Sequence, residues 1–197
     1  MLKVGVLALQ GSVEEHVCSF QKIKGVSVCK IKEADELDNI DGLVLPGGES
    51  TTIGKLLRGF KLLKPIVSRI NKGMPVWGTC AGMILMAKNI VGEEQTHLGV
   101  MDITVRRNAY GSQLDSFSTT MCIPAVSNNE IPLIFIRAPW VESVGENVRV
   151  LANVNGKIVA VQQKHMLATA FHPELTDDIS FHKYFAEMVG KRNKIVF

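Results

Sequence analysis

Gly78-Thr79-Cys80-Ala81-Gly82 sits between two runs of opposite character. Before it, Pro75-Val76-Trp77 is short and apolar and follows Lys72-Gly73, which reads as a buried strand. After it, Met83-Ile84-Leu85-Met86-Ala87-Lys88 offers good helix formers with almost no breaker. Glycine on either side of the junction permits a turn too tight for a Cβ, so the side chain between them projects from the top of the sheet. A Gly-x-nucleophile-x-Gly run at such a place is the nucleophile-elbow pattern, here with cysteine for serine. A helix beginning at Cys80 aims its free N–H groups and positive dipole end at the sulfur, which favours the reactive thiolate. A cysteine at a helix start is often a buried packing residue. The paired glycines make Cys80 a candidate nucleophile.

A cysteine nucleophile needs a base, and Phe171-His172-Pro173-Glu174 supplies one far downstream. Pro173 pushes His172 toward an extended conformation. In an extended chain residues two apart point the same way, so Glu174 can lie beside the imidazole and fix its tautomer. His-x-Glu alone is weak; together with the elbow it predicts a Cys80-His172-Glu174 triad.

The third piece is Leu43-Val44-Leu45-Pro46-Gly47-Gly48-Glu49-Ser50-Thr51-Thr52, an apolar strand running into a Pro-Gly-Gly turn. Ser50 or Thr51 is the expected helix N-cap. The Gly48 N–H, with that of Ala81, would form a two-donor oxyanion hole, in which losing one donor typically costs about 2.7–4 kcal/mol. The bland alternative is an ordinary Gly-rich turn. A phosphate loop ranks lower, since neither the Walker pattern nor G-x-G-x-x-G is present.

Along the chain, strands are expected over 2–9, 26–31, 42–45 and 75–78, with helices over about 12–23, 51–60 and 64–72. This alternation argues for a parallel sheet with helices on both faces and a site beyond the carboxyl ends of its strands. The second half changes character. Strands are expected over 101–106, 118–123, 133–136, 148–154, 157–163 and 166–171, with a hairpin at Asn155-Gly156 and a last helix over about 179–188. Without repeats or a linker, residues 1–197 are expected to form a single domain.

Composition narrows the class. At 197 residues and 46% hydrophobic content the chain can bury a substantial core. A net charge of +3 with scattered Lys and Arg gives no nucleic-acid footprint; Lys191-Arg192-Asn193-Lys194 reads as a solvated helix end. Cys18, Cys29, Cys80 and Cys122 show no metal-like spacing. The three besides Cys80 are expected in the core or half-buried, and the methionines as packing. The apolar start Val4–Leu9 is too short for a signal peptide and no run approaches a bilayer span, so the expected setting is cytoplasmic. His16, His97, His165 and His182 have no ligand spacing and read as structural or surface residues.

The three motifs, with Leu9-Gln10-Gly11, Arg107-Asn108-Ala109-Tyr110-Gly111, Asp115-Ser116-Phe117 and Phe135-Ile136-Arg137-Ala138-Pro139, resemble class I, triad-type glutamine amidotransferases. Within that family they are similar to the glutaminase subunits of pyridoxal 5′-phosphate synthase, over essentially the whole chain. The resemblance implies an α/β, three-layer, flavodoxin-like fold with a central mostly parallel sheet flanked by helices and additional antiparallel strands in the second half. It implies hydrolysis of L-glutamine to glutamate and ammonia without a cofactor or metal. The ammonia would pass to a (β/α)8 synthase subunit that forms the core of the complex, with the glutaminase on its outside. Glutamine contacts are implied at Gly48, Glu49, Ser50, Arg107, Ile136 and Arg137, and a partner-facing position at Gln10. Either arginine could grip a carboxylate in bidentate fashion. The stretch after Gln10 is equally readable as a turn with an N-cap at Ser12. Ser112 departs from the arginine common in relatives. Three rival readings remain: the glutaminase of another biosynthetic pathway, a cysteine hydrolase of related architecture, or a silent binding module.

Overall fold

The computed structural model describes residues 1–107 and 116–195, with side chains to residue 192. Its strands are β1 (Leu2–Leu7), β2 (Val26–Ile31), β3 (Gly42–Leu45), β4 (Val76–Thr79), β5 (Ala87–Ile90), β6 (Met101–Arg106), β7 (Ser116–Ile123), β8 (Ser127–Ile136), β9 (Trp140–Val144), β10 (Arg149–Val154), β11 (Lys157–Gln163) and β12 (Met166–Thr169). Its helices are α1 (Val13–Gln21), α2 (Ser50–Gly59), α3 (Leu63–Asn71), α4 (Ala81–Met86) and α5 (Ser180–Ile195). Asn108 to Asp115, including Ser112, lie outside the described residues.

The main sheet runs β2-β1-β3-β4-β12-β11-β9-β6-β5, with β10 attached to β11. From β2 to β12 every neighbouring pair is parallel. The strands β3, β4 and β12 are buried at every position, which is why they read as continuous apolar runs rather than alternating ones. Beyond β12 the pairing turns antiparallel through β11, β9 and β6, and β5 returns parallel to β6. The fold is thus α/β, with a mixed, mostly parallel sheet flanked by helices. Asn155 and Gly156 both take positive φ, 51° and 75°, closing the β10–β11 hairpin as their types predict.

The core beneath the parallel half is aromatic. Trp77 of β4 is fully buried and stacks on Phe181, with Phe185 beyond it at 5.8 Å between ring centres. Phe181, Phe185 and Val189 recur every four residues along α5 and form its buried stripe. α5 lies so close to the sheet that a Cβ on Gly42 of β3 would stand 2.6 Å from Val189. α1 adds Phe20 to the same cluster.

Three expectations need correcting. Ala87 and Lys88 are not helical: α4 stops at Met86, and β5 begins at once. Pairing with β6 buries Ala87 and Ile90 and overrides local helix propensity. β8 starts at Ser127, six residues early, because a two-stranded ribbon tolerates Pro132, which sits opposite Thr120 of β7. β9 lies outside the expected strands, although its Trp140, Val141 and Val144, bounded by Pro139 and Gly145, are strand formers. None of the helices among the described residues is long and apolar enough to cross a membrane.

Candidate active site

Four parallel strands, β1, β3, β4 and β12, end on one edge, and the chain just past each end supplies the site: Gln10, Gly47-Gly48, Cys80 and His172. This is the edge where α/β sheets bind ligands. Cys80 follows β4 with φ 47° and ψ −102°, a conformation that costs a non-glycine residue of the order of 1–3 kcal/mol. The strained turn is held by its amide, which donates to Thr169 O at 2.8 Å. It is possible only between glycines: a Cβ on Gly78 would overlap the Gly82 backbone, and one on Gly82 would overlap Leu45 O. α4 is a mere six residues, so its dipole is short and the imidazole becomes the main partner of the sulfur.

His172 shares the cleft with Cys80 and is hydrogen-bonded to Glu174, Nδ1 to Oε1 at 2.7 Å. Its extended backbone (φ −109°, ψ 84°) precedes the turn Pro173–Leu175, and its amide donates to Ile134 O of β8 at 2.8 Å. Burial works against a charged imidazole, but its interactions with Cys80 and Glu174 outweigh it and raise the pKa to about 10. Glu174 is 5% exposed. Burial opposes its charge too, yet His16, His172 and Ser12 hold the carboxyl down at about 2. The pair therefore stands as imidazolium and carboxylate at neutral pH. Ser12 Oγ donates to the same Oε1 at 2.6 Å. Ser12 is the N-cap of α1, but its hydroxyl caps nothing; the carboxylate has taken it.

The Gly-Gly loop is pinned from three sides. The Gly47 amide donates to Thr79 Oγ1 at 3.0 Å, its carbonyl accepts from Ser12 N–H at 3.0 Å, and the Glu49 amide donates to Gln10 Oε1 at 2.8 Å. The Gly48 amide is thus held between two anchored neighbours. Ala81, first residue of α4, has no intrahelical acceptor for its own amide. Neither Ser50 nor Thr51 caps α2. Glu49 does, accepting from Thr51 N–H at 3.1 Å and Thr52 N–H at 2.6 Å. Those bonds prevail over burial and keep its carboxyl near 2.

A cleft of about 350 Å³ opens over the sulfur. It is lined by Gln10, Gly48, Glu49, Ser50, Cys80, Ala81, Arg107, Ile136, Arg137 and His172, so that each of these sequence-derived candidates meets in one cavity. Glu174 lies behind His172 and does not line it. Ile84 lines it too and is not among the expected residues; its place in the buried turn of α4 carries no sequence mark. Arg107 is braced by Glu93 at 2.6 Å, Glu49 at 3.3 Å and Thr51 at 3.3 Å. Arg137 has φ 44°, and the preceding Ile136 carbonyl lies 4.0 Å from Cys80 Sγ. Stacked Phe117 and Phe135, and Phe135 against Phe171, tie the β7–β8 ribbon to the base of the site.

Other candidates fall elsewhere. Cys18 and Cys122 are exposed, against expectation, and Cys29 is half-buried. Cys18 points away because α1 turns His16, Ser19 and Phe20 inward instead. In β7, alternation along a two-stranded ribbon puts Cys122 outside.

Comparison with known proteins agrees with this architecture. The model of the SNO glutamine amidotransferase family matches residues 6–191. A pyridoxal 5′-phosphate synthase subunit PdxT of Caldanaerobacter subterraneus subsp. tengcongensis is 58% identical over 187 residues, covering 95% of this chain and 99% of the relative. The PdxT of Ruminiclostridium cellulolyticum is 56% identical, covering 96% and 100%. A crystal structure of a glutamine amidotransferase superposes with a TM-score of 0.89 at 42% identity, covering 95% of this chain and 98% of that one. A putative GMP synthase protein from Thermoplasma acidophilum shares the fold at 18% identity and a TM-score of 0.69, covering 99% and 97%. Fold and cleft define a chain of the amidotransferase type. It belongs to the SNO glutamine amidotransferase family.

Proposed function

We propose that this chain is the glutaminase subunit of a pyridoxal 5′-phosphate synthase, acting as a single domain over residues 1–197. The observation that carries the reading is Cys80 and a Glu174-bonded His172 in one cleft that also holds Arg107 and Arg137. The names of relatives 50–58% identical along nearly the whole chain support the pathway.

In the mechanism, L-glutamine enters with its carboxylate toward Arg107 and Arg137 and its amide toward the sulfur. Gly48, Glu49, Ser50 and Ile136 complete the contacts. The Cys80 thiolate attacks the carboxamide carbon, and the oxyanion accepts the Gly48 and Ala81 N–H groups. The His172 imidazolium gives its proton to the nitrogen, the C–N bond breaks and ammonia leaves. Neutral His172 then takes a proton from water as its oxygen attacks the thioester, and the second tetrahedral species collapses to glutamate and the free thiolate. Glu174 stays ionised throughout and steadies each imidazolium. No step calls for a cofactor. The ammonia goes to a (β/α)8 synthase subunit in the cytoplasm, with this chain on the outside of the synthase core and Gln10, which anchors the oxyanion loop, facing the partner.

The test is glutamate release from glutamine by the purified chain, alone and with its synthase subunit, beside Cys80→Ala. Release should rise with the partner and vanish in the variant. Undiminished glutamate from Cys80→Ala would falsify the assignment.

A further inference from the structure

Two buried histidines take part in none of these steps. His16 on α1 and His182 on α5 are both fully buried and meet at 3.1 Å, Nδ1 of His16 to Nε2 of His182. The other nitrogen of His16, Nε2, lies 3.2 Å from Thr79 Oγ1 and 3.5 Å from Glu174 Oε2. These two oxygens belong to different parts of the site. Thr79 Oγ1 accepts the Gly47 amide and so holds the glycine loop. Glu174 Oε2 is the carboxylate oxygen that neither His172 nor Ser12 uses; it accepts no hydrogen bond among the described residues, and His16 Nε2 faces it at ion-pair distance.

We infer that His16 is a positioning residue: its Nε2–H steadies the spare oxygen of Glu174 and the Thr79 hydroxyl together, so one imidazole sets both the charge-bearing pair and the oxyanion loop. What it positions rests on the glutaminase reading; the contacts themselves do not.

The direction of donation follows from the partners. A carboxylate oxygen facing a ring nitrogen in a dry site repels a lone pair and attracts a proton, so the proton belongs on Nε2. Nδ1 of His16 then accepts from Nε2–H of His182. That leaves His182 Nδ1 as a lone pair, and this atom has no partner among the described residues. A buried unpaired acceptor is better tolerated than a buried unpaired N–H. Burial keeps both rings neutral, lowering the pKa of His16 against the pull of Glu174 and lowering that of His182 further. Donation thus runs one way, from α5 through α1 into the site. Removing the Nε2–H would leave Glu174 Oε2 with nothing facing it and free Thr79 to turn its methyl toward Gly47.

The experiment compares His16→Gln, His16→Asn and His16→Leu with the unaltered chain. A glutamine amide nitrogen reaches the place of Nε2; an asparagine amide nitrogen reaches only that of Nδ1. Each protein is assayed for glutamate release with the synthase subunit present. Each is assayed separately, without glutamine, for the rate of Cys80 alkylation by iodoacetamide at neutral pH, mapped to the Cys80 peptide. His16→Gln should keep kcat within about threefold, whereas the Asn and Leu variants should lose roughly 10–100-fold in kcat with KM within about twofold, the range seen when groups that orient active ligands are removed. Alkylation of Cys80 should slow severalfold in the same two and not in His16→Gln. Equal behaviour of the Gln and Asn variants overturns the inference, as does full activity of His16→Leu. Should the Leu variant fail to fold, the Gln–Asn contrast decides; should both amides also fail, His16 is a packing requirement and the inference is lost. No glutamate from the unaltered chain would sink the glutaminase reading alone, and the alkylation contrast would still judge His16.

Discussion

The α-carbon of Gly47 lies against the edge of the His172 ring, so near that a Cβ there would overlap Cε1 and stand 2.9 Å from Nδ1. The glycine loop and the imidazole are therefore packed against each other, and the first glycine of the loop has a steric reason as well as a backbone one. Gly47→Ala should displace the imidazole from the sulfur and lower kcat about 100-fold, the effect of a misplacement near 1 Å. Its thermal midpoint should change little by comparison. Steady-state kinetics beside a melting curve checks this; a fully active alanine variant would show that the ring has room to move.

The His172–Glu174 pair also gives stability over a bounded pH range. Glu174 is held at about 2, below its usual 4.5, so its contribution is complete above 4.5 and fades as pH falls toward 2. His172 is raised to about 10 from 6.5, so its contribution is complete below 6.5 and is lost as pH climbs through about 10. The difference in denaturant midpoint between the unaltered chain and Glu174→Gln should be greatest between those two ordinary values and shrink on either side. A difference that is flat from acid to alkali would contradict the pairing.

Arg107 is presented to the cleft by Glu49, Glu93 and Thr51 rather than by the substrate. Arg107→Ala should raise KM for glutamine roughly 10–150-fold, the worth of about 1.5–3 kcal/mol for a charged hydrogen bond, while kcat changes less. An unchanged KM would move carboxylate recognition to Arg137 alone.

Trp77 carries the aromatic core beneath the elbow, against Phe181 and Phe185. Trp77→Ala should cost roughly 3–5 kcal/mol in equilibrium unfolding, as large-to-small aromatic changes in cores do. A loss below about 1 kcal/mol, closer to what surface changes produce, would mean that α5 collapses into the space.

Much of this site is legible in the chain because its chemistry needs particular residues at fixed spacing. The glycines around Cys80 and the proline between His172 and Glu174 state backbone conformations that few other residues allow. The parallel strands show as short apolar runs because both their faces are covered. What stays hidden depends on partners distant in sequence. Ala87 and Lys88 look helical until β6 is beside them. Ser12 resembles an ordinary cap until Glu174 arrives from the far end of the chain. His16 and His182 carry no spacing that marks them, since their meeting is made by the packing of α1 and α5. The cap of α2 falls one residue before the expected serine, because Glu49, a rarer cap than serine or threonine, reaches two amides at once.

The seating of β12 against β4, Thr169 opposite Thr79, bears on how the enzyme is made. During synthesis the elbow emerges from the ribosome long before the strand that flanks it and delivers the histidine. Until the later segment is made and docks, the nascent polypeptide holds a thiol without the imidazole beside it, so the site is assembled only after β12 has taken its place.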